Sequence, residues 1–393
     1  MAPRYSTPLH RRGRSLHSAS TARRLRSASG APPPTAQRCR RDGRAGRDQR
    51  RTAVVRAVTY RSTVSIPLPW GARGAEEGIA DVRDVLGRIR GAVETVVEGK
   101  DDVVRTALVV LLAEGHLLVE DVPGVGKTML AKALARATGV TVRRVQFTPD
   151  LLPSDLTGVS VYDAESRRFE FQPGPVFAHV VVGDEINRAS PKTQSALLEC
   201  MGERQVTVDG TTHTLARPFM VVATQNPAEM EGTYPLPEAQ RDRFMARVSM
   251  GYPSMASELA MLGSHGARDP LTDLEPVSDP GELRRAIAVT ASVHAAPAVQ
   301  QYLLDLVTAT RTHPAVSLGA SPRASLHLLR ASRAVAVLDG RDHVLPDDVQ
   351  SLAVPVLAHR LVLSPEASAV RRTAEDVLVD LLQRVPVPSA ARA

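Results

Sequence analysis

Thiols are nearly absent from this chain: Cys39 and Cys200 are the only two in 393 residues. That is too few for a disulfide framework or a cysteine zinc site, and it points to a reducing, cytoplasmic setting. Aromatics are almost as scarce, at 3% with Trp70 the sole tryptophan, so a core must be assembled from Val, Leu, Ile, Ala and Met. The most apolar stretch, Ala107 to Ala113, stops at Glu114, Gly115 and His116, far short of the ~20 residues that cross a bilayer. Membrane insertion is therefore not expected. Lysine is also rare, with four against 45 arginines.

What is present is unevenly spread. The formal charge is +7, yet residues 1–60 hold fifteen arginines and only two acids, Asp42 and Asp48, so that segment carries +13 and the remainder −6. The pI of 9.8 thus describes a tail, and nucleic acid is not the expected partner of the acidic remainder. The tail has no apolar periodicity and too little apolar surface to offset the entropy of ordering. Residues 1–75 read as a disordered, Arg-rich extension, either solvated or a wrongly assigned start; a transit peptide and a nucleic-acid arm are the alternatives. The length allows two domains besides this extension.

From Ile79 to Val97 apolar residues fall at helical spacing, and a second helix is expected over 101–113. The short apolar run "HLLVE" follows, then "DVPGVGKT", then a helix ended by Gly139. Further strands are predicted at 143–147, 179–183, 219–224 and 246–250, apolar enough to be covered on both faces as in a parallel α/β sheet. Two hairpins interrupt the alternation, at 158–174 and at 205–215, the second with Asp209-Gly210 at its turn. Beyond Pro253 the pattern is helical, with segments near 281–294, 298–311, 322–337, 346–359 and 366–384.

The order strand, glycine-rich loop, helix makes "EDVPGVGKTML" a phosphate loop, although Asp121 stands where the usual pattern has its first glycine. Backbone amides from Gly124, Val125, Gly126, Lys127, Thr128 and Met129 would cradle phosphates at a helix N-terminus, with the Lys127 ammonium as a point charge. Thr128 is placed to ligate Mg²⁺. In "HVVVGDEINRA" the strand ends on two acids: Asp184 can hold Mg²⁺ through water, and Glu185 can polarise an attacking water. Asn226 closes another strand, where an amide can hold that water or a γ-phosphate. Arg241 and Arg243 lie too far along the chain to be assumed in the same pocket, and an arginine there makes sense if it reaches a neighbouring subunit's nucleotide. Ser321 caps a helix with Pro322 first, and Arg323 in its first turn opposes the helix dipole, which suggests a phosphate contact.

With these blocks in order, the chain from about Glu77 resembles the MoxR family of AAA+ ATPases. "FTPDLLPSDLTG", "FQPGPVFAHVVVGDEINRASPKTQSALLECMGE", "ATQNPAEMEGTYPLPEAQRDRF", "GASPRASL" and "LAHRLVLSPEA" carry the resemblance. It implies a P-loop AAA+ core with a five-stranded parallel sheet over 76–252, then a helical lid over 253–393. It further implies ATP and Mg²⁺ as cofactors, a homo-oligomeric ring, usually a hexamer, and a chaperone-like role with a von Willebrand factor A-type partner in maturing other complexes or inserting cofactors. In family terms Asp184 and Glu185 match the Walker B pair, Asn226 the first sensor, Arg243 the finger and Arg323 the second sensor. The segment 96–102 resembles the adenine-lining one, and the hairpins resemble pore-facing insertions that touch the client. Arg241 stands where leucine is common, so two arginines adjoin the finger position. A metal-chelatase subunit and a nucleic-acid-dependent ATPase are the rival readings.

Overall fold

The computed structural model describes residues 72–388 apart from 123, 227–232, 257 and 260–269. The predicted extension 1–75, with Cys39 and Trp70, lies almost wholly outside the described residues. In chain order the strands are β1 (Leu117–Glu120), β2 (Val142–Gln146), β3 (Gly158–Asp163), β4 (Arg168–Pro173), β5 (Val180–Asp184), β6 (Gln205–Val208), β7 (Thr211–Thr214), β8 (Met220–Gln225), β9 (Ala246–Val248), β10 (Val316–Leu318) and β11 (Val362–Leu363). The main sheet runs β2-β5-β8-β1-β9, and every pairing in it is parallel.

Successive side chains of a strand point to opposite faces, and here both faces are buried. Leu117, Val119, Val180, Val182 and Val222 enter one core; Leu118, Val181, Val221 and Ala223 enter the other. That is why these strands read as unbroken apolar runs.

The helices are α1 (Ala72–Glu94), α2 (Asp101–Leu112), α3 (Lys127–Ala137), α4 (Pro153–Thr157), α5 (Pro191–Glu203), α6 (Glu238–Arg241), α7 (Pro270–Asp273), α8 (Pro280–Ser292), α9 (Pro297–Thr312), α10 (Pro322–Leu338), α11 (Pro346–Leu357), α12 (Pro365–Ala369) and α13 (Ala374–Arg384). Several begin with proline behind a side-chain cap: Ser190, Asp279, Ser321 and Ser364 each accept an amide of the first turn, which satisfies a donor the helix itself leaves open.

Both expected hairpins are present, β3 with β4 and β6 with β7, each antiparallel. The segment predicted as one helix over 366–384 is instead two, α12 and α13. Arg371 takes a φ of 57° between them, and Thr373 restarts the helix with a capping box to Asp376, its Oγ1 accepting the Asp376 amide at 3.1 Å. Strand ends differ by a residue or two: Asp184 belongs to β5, paired with Gln146, and β9 stops at Val248 rather than Met250. Cys200 is a buried free thiol, and burial pushes its pKa up to about 12. No helix among the described residues is long and apolar enough to cross a membrane.

Candidate functional site

β1 ends at the carboxyl edge of the sheet with Glu120 opposite Gln225 of β8, and α3 starts at Lys127, so the intervening loop turns at that edge. Gly124 and Gly126 take φ of +85° and +87°, a region glycine enters without steric cost. A Cβ on Gly124 would meet nothing within 4 Å, so backbone conformation, not crowding by the protein, requires glycine there. The leading amides of α3 have no intrahelical acceptor and carry the positive end of the helix dipole. Val125 packs against the core, and Met129 donates its amide to the Gly126 carbonyl at 2.9 Å. Lys127 Nζ donates to the Asp121 carbonyl at 2.7 Å.

Asp121, the residue that breaks the usual pattern, staples this loop. Its carboxylate accepts from the Val122 amide at 2.8 Å, from Ser249 Oγ at 3.0 Å and from the Gly251 amide. Burial alone would raise its pKa, but the hydrogen bonds from Gly251, Val122 and Ser249 outweigh that and hold it below the ordinary carboxylate value.

Thr128 Oγ1 lies 3.1 and 3.2 Å from the two Asp184 oxygens. A hydroxyl and a carboxylate in contact are a hard-oxygen donor set that suits magnesium, which takes the rest of its shell from phosphate and water. Thr224 ties the acids together from β8: its hydroxyl donates to Asp184 Oδ1 at 3.3 Å and accepts the Glu185 amide at 3.0 Å. Glu185 itself sits at φ 58° and ψ 51°, a left-handed conformation uncommon for a non-glycine residue. Two residues of β2 grip the pair: Arg144 Nε lies 2.7 Å from Asp184 Oδ2, and Gln146 Nε2 donates to Glu185 Oε2 at 3.1 Å. Arg188 Nε lies 2.9 Å from that same Glu185 oxygen. Asn226 is buried immediately after β8 at the same edge.

A second constellation sits at the amino edge. Arg243 Nη1 donates to the Leu198 carbonyl of α5, and it passes over Gly202, where a Cβ would stand 2.4 Å away. Arg243 lines a cavity of about 490 Å³ with His116, Arg204, Arg323, Arg330 and Arg333. Arg323 Nη1 lies 3.3 Å from Asp242 Oδ2, whereas Arg241 pairs with Glu238 at 3.7 Å. His116 immediately precedes β1 and Lys127 follows it, so the strand's four residues, at ~3.3 Å each, put about 13 Å between the two edges. Lys127, Thr128, Asp184, Glu185 and Asn226 therefore share one edge, while Arg243 and Arg323 share the other. Sequence reading did not single out Arg144, Gln146, Thr224 or Asp242, nor the stapling by Asp121.

Residues 116–246 match the ATPase family associated with various cellular activities (AAA), and 308–381 match the AAA lid domain. The uncharacterized protein YeaC of Bacillus subtilis is 49% identical over 308 residues, 78% of this chain and 96% of that one. Chaperone MoxR1 of Mycobacterium tuberculosis is 42% identical over 324 residues, 80% of this chain and 85% of the relative. A crystal structure from Cytophaga hutchinsonii, given provisionally as an ATPase, superimposes with a TM-score of 0.76 at 36% identity, covering 81% of this chain and 99% of that one.

Proposed function

The chain belongs to the MoxR family of AAA+ ATPases, and from that membership and the two separated constellations we propose a Mg²⁺-dependent ATPase whose site is completed between neighbouring copies in a ring of six. The observation that carries this reading is the split itself. The acids and the phosphate loop gather at the carboxyl edge, while Arg243 and Arg323 face a cationic cavity at the amino edge. A guanidinium there serves a phosphate only if another subunit brings one.

Each residue then has a task. Lys127 and the amides from Gly124 to Met129 would hold the phosphates; Thr128 and Asp184 would hold the metal, which when bound would neutralise charge on the phosphates. Glu185 takes the proton of the attacking water once it leaves Gln146 and Arg188, and Asn226 orients that water. Arg243 and Arg323 stabilise transition-state charge from the next subunit. The segment 96–102, where Lys100 Nζ donates to the Tyr252 carbonyl at 2.9 Å, lines the adenine. The core spans 76–252 and the lid 253–393.

The work done is remodelling of a protein client, chaperone-like, with a von Willebrand factor A-type partner, in maturing a complex or inserting its cofactor. The β3–β4 hairpin supports a client contact: Tyr162 and Phe169 stack edge to face at 5.4 Å and are 54% and 72% exposed, in a chain with few aromatics.

Replacing Glu185 by Gln removes the base and keeps the shape. We expect ATP to bind with little changed affinity and phosphate release to fall by about 10²–10⁴, the usual worth of a general base. Release at the parental rate would refute the assignment.

A further inference from the structure

The lid dipeptide His359-Arg360 belongs to "LAHRLVLSPEA". It ends α11 in a 3-10 turn, Ala358–Arg360, and both side chains are buried, at 2% and 5% exposure. They meet the backbone on either side of Arg243. Arg360 Nη2 donates to the Asp242 carbonyl at 3.2 Å and also to the Phe244 carbonyl; His359 Nε2 reaches the same Phe244 oxygen at 3.2 Å. From the start of α10, Ser321 Oγ donates to Asp242 Oδ1 at 2.7 Å and Arg323 Nη1 lies 3.3 Å from Oδ2, while Arg360 Nε lies 3.4 Å from Oδ1. Phe244 itself is fully buried.

A buried guanidinium is an expensive way to fasten two elements, since well-packed apolar side chains would hold them at least as firmly. Burial depresses the Arg360 pKa to about 10 despite the opposing pull of Asp242, and its Nε and Nη1 lack hydrogen-bond partners. What the cation supplies, and an apolar contact does not, is direction: its Nη2, bonded to the carbonyls on both sides of Arg243 and 2.8 Å from His327 Nδ1, fixes the backbone that aims Arg243.

We propose that His359 and Arg360 are positioning residues that fasten Arg243 to the lid, so that movement of one subunit's lid resets the cation it offers to its neighbour. The latch rests on the reading of Arg243 as acting between subunits. It gives the lid a second output: besides moving with its own subunit's nucleotide, it governs hydrolysis next door.

The test is subunit mixing with the full chain. Arg360→Gln alone is expected to bind a fluorescent ATP analogue within about twofold of the parent and to keep its KM, because the phosphate loop is at the far edge. Its kcat falls at least about tenfold, part of the roughly 10³–10⁵ that a trans-acting arginine is worth. Lys127→Ala alone is inactive but keeps an intact latch. Rings mixed one to one from these two variants regain turnover at about a quarter of their interfaces, since each head-to-tail interface pairs one subunit's phosphate loop with the other's arginine. Arg243→Ala mixed with Lys127→Ala is the control. If the control regains turnover and Arg360→Gln, binding ATP, does not, the latch is wrong. A parental kcat in Arg360→Gln alone is equally fatal to it. If the control also fails, the inter-subunit reading of Arg243 falls and takes the latch with it. Should Arg360→Gln melt below the assay temperature, His359→Phe, which keeps the bulk and loses the contact with the Phe244 carbonyl, carries the same comparison.

Discussion

At the scale of single residues, Arg144, Gln146 and Thr224 hold the two carboxylates at the end of β5 in place. Lys127, Thr128, Asp184 and Glu185 could be named as candidates from the sequence, because the phosphate and metal chemistry proposed for them needs those residue types beside a glycine-rich loop or at a strand end. Arg144, Gln146 and Thr224 touch the same acids but sit on other strands, and only the order β2-β5-β8 makes them neighbours. His116 was hidden in the same way. Its Nδ1 accepts the Val221 amide at 3.0 Å and its Nε2 faces the Met201 carbonyl at 3.2 Å, which is the neutral ring's arrangement. Burial pushes its pKa down to about 4, against the Met201 hydrogen bond and helped by Arg204. The unfolded chain, titrating near 6.5, then takes up this proton first, so the stability it confers is complete above pH 6.5 and is lost as the pH falls towards 4, by about 3 kcal/mol in all. Burial lowers His327 and His359 in the same direction. We expect chemical-denaturation stability to fall with more than one proton per molecule across that window, and His116→Asn to flatten the slope by close to one. An unchanged slope would place the proton elsewhere.

At the scale of elements, the strands and hairpins were readable from apolar runs and turn residues, while their ends were not, because pairing decides them: β5 extends to Asp184 where Gln146 is there to meet it. The last helical segment looked continuous because helical residue types persist through it, and the break at Arg371 and Thr373 is made by backbone conformation and a cap. Asp121 teaches the same lesson in reverse. The pattern marks it as a missing glycine, yet it joins the end of β1 to the segment after β9 through Val122, Ser249 and Gly251, with charged-acceptor bonds worth roughly 1.5–3 kcal/mol each. Asp121→Ala should therefore lower the melting temperature and weaken ATP binding about tenfold, some 1.4 kcal/mol, with turnover per bound ATP little altered. Equilibrium titration and single-turnover assays separate the two. Asp121→Gly, which restores the common pattern, is expected to weaken binding too; tighter binding in that variant would show the staple to be dispensable.

At the scale of the whole chain, charge separates two regions that composition averages together. The described residues, 72–388, fall in one compact unit, and the acids that make everything after residue 60 net negative all lie beyond Ser65. Residues 1–60 hold the entire positive surplus. Counterion release makes such a segment bind polyanions with an affinity that drops steeply with salt, whether or not the ATPase has any use for nucleic acid. A protein beginning at Ser65 and the full chain should accordingly hydrolyse ATP at rates within about twofold of each other. Only the full chain should retain double-stranded DNA at low salt, with a steep negative slope of log affinity against log salt. DNA should stimulate neither. Stimulation that survives removal of residues 1–64 would require a nucleic-acid surface on the acidic unit itself, and would favour a nucleic-acid-dependent motor over a remodeller of protein.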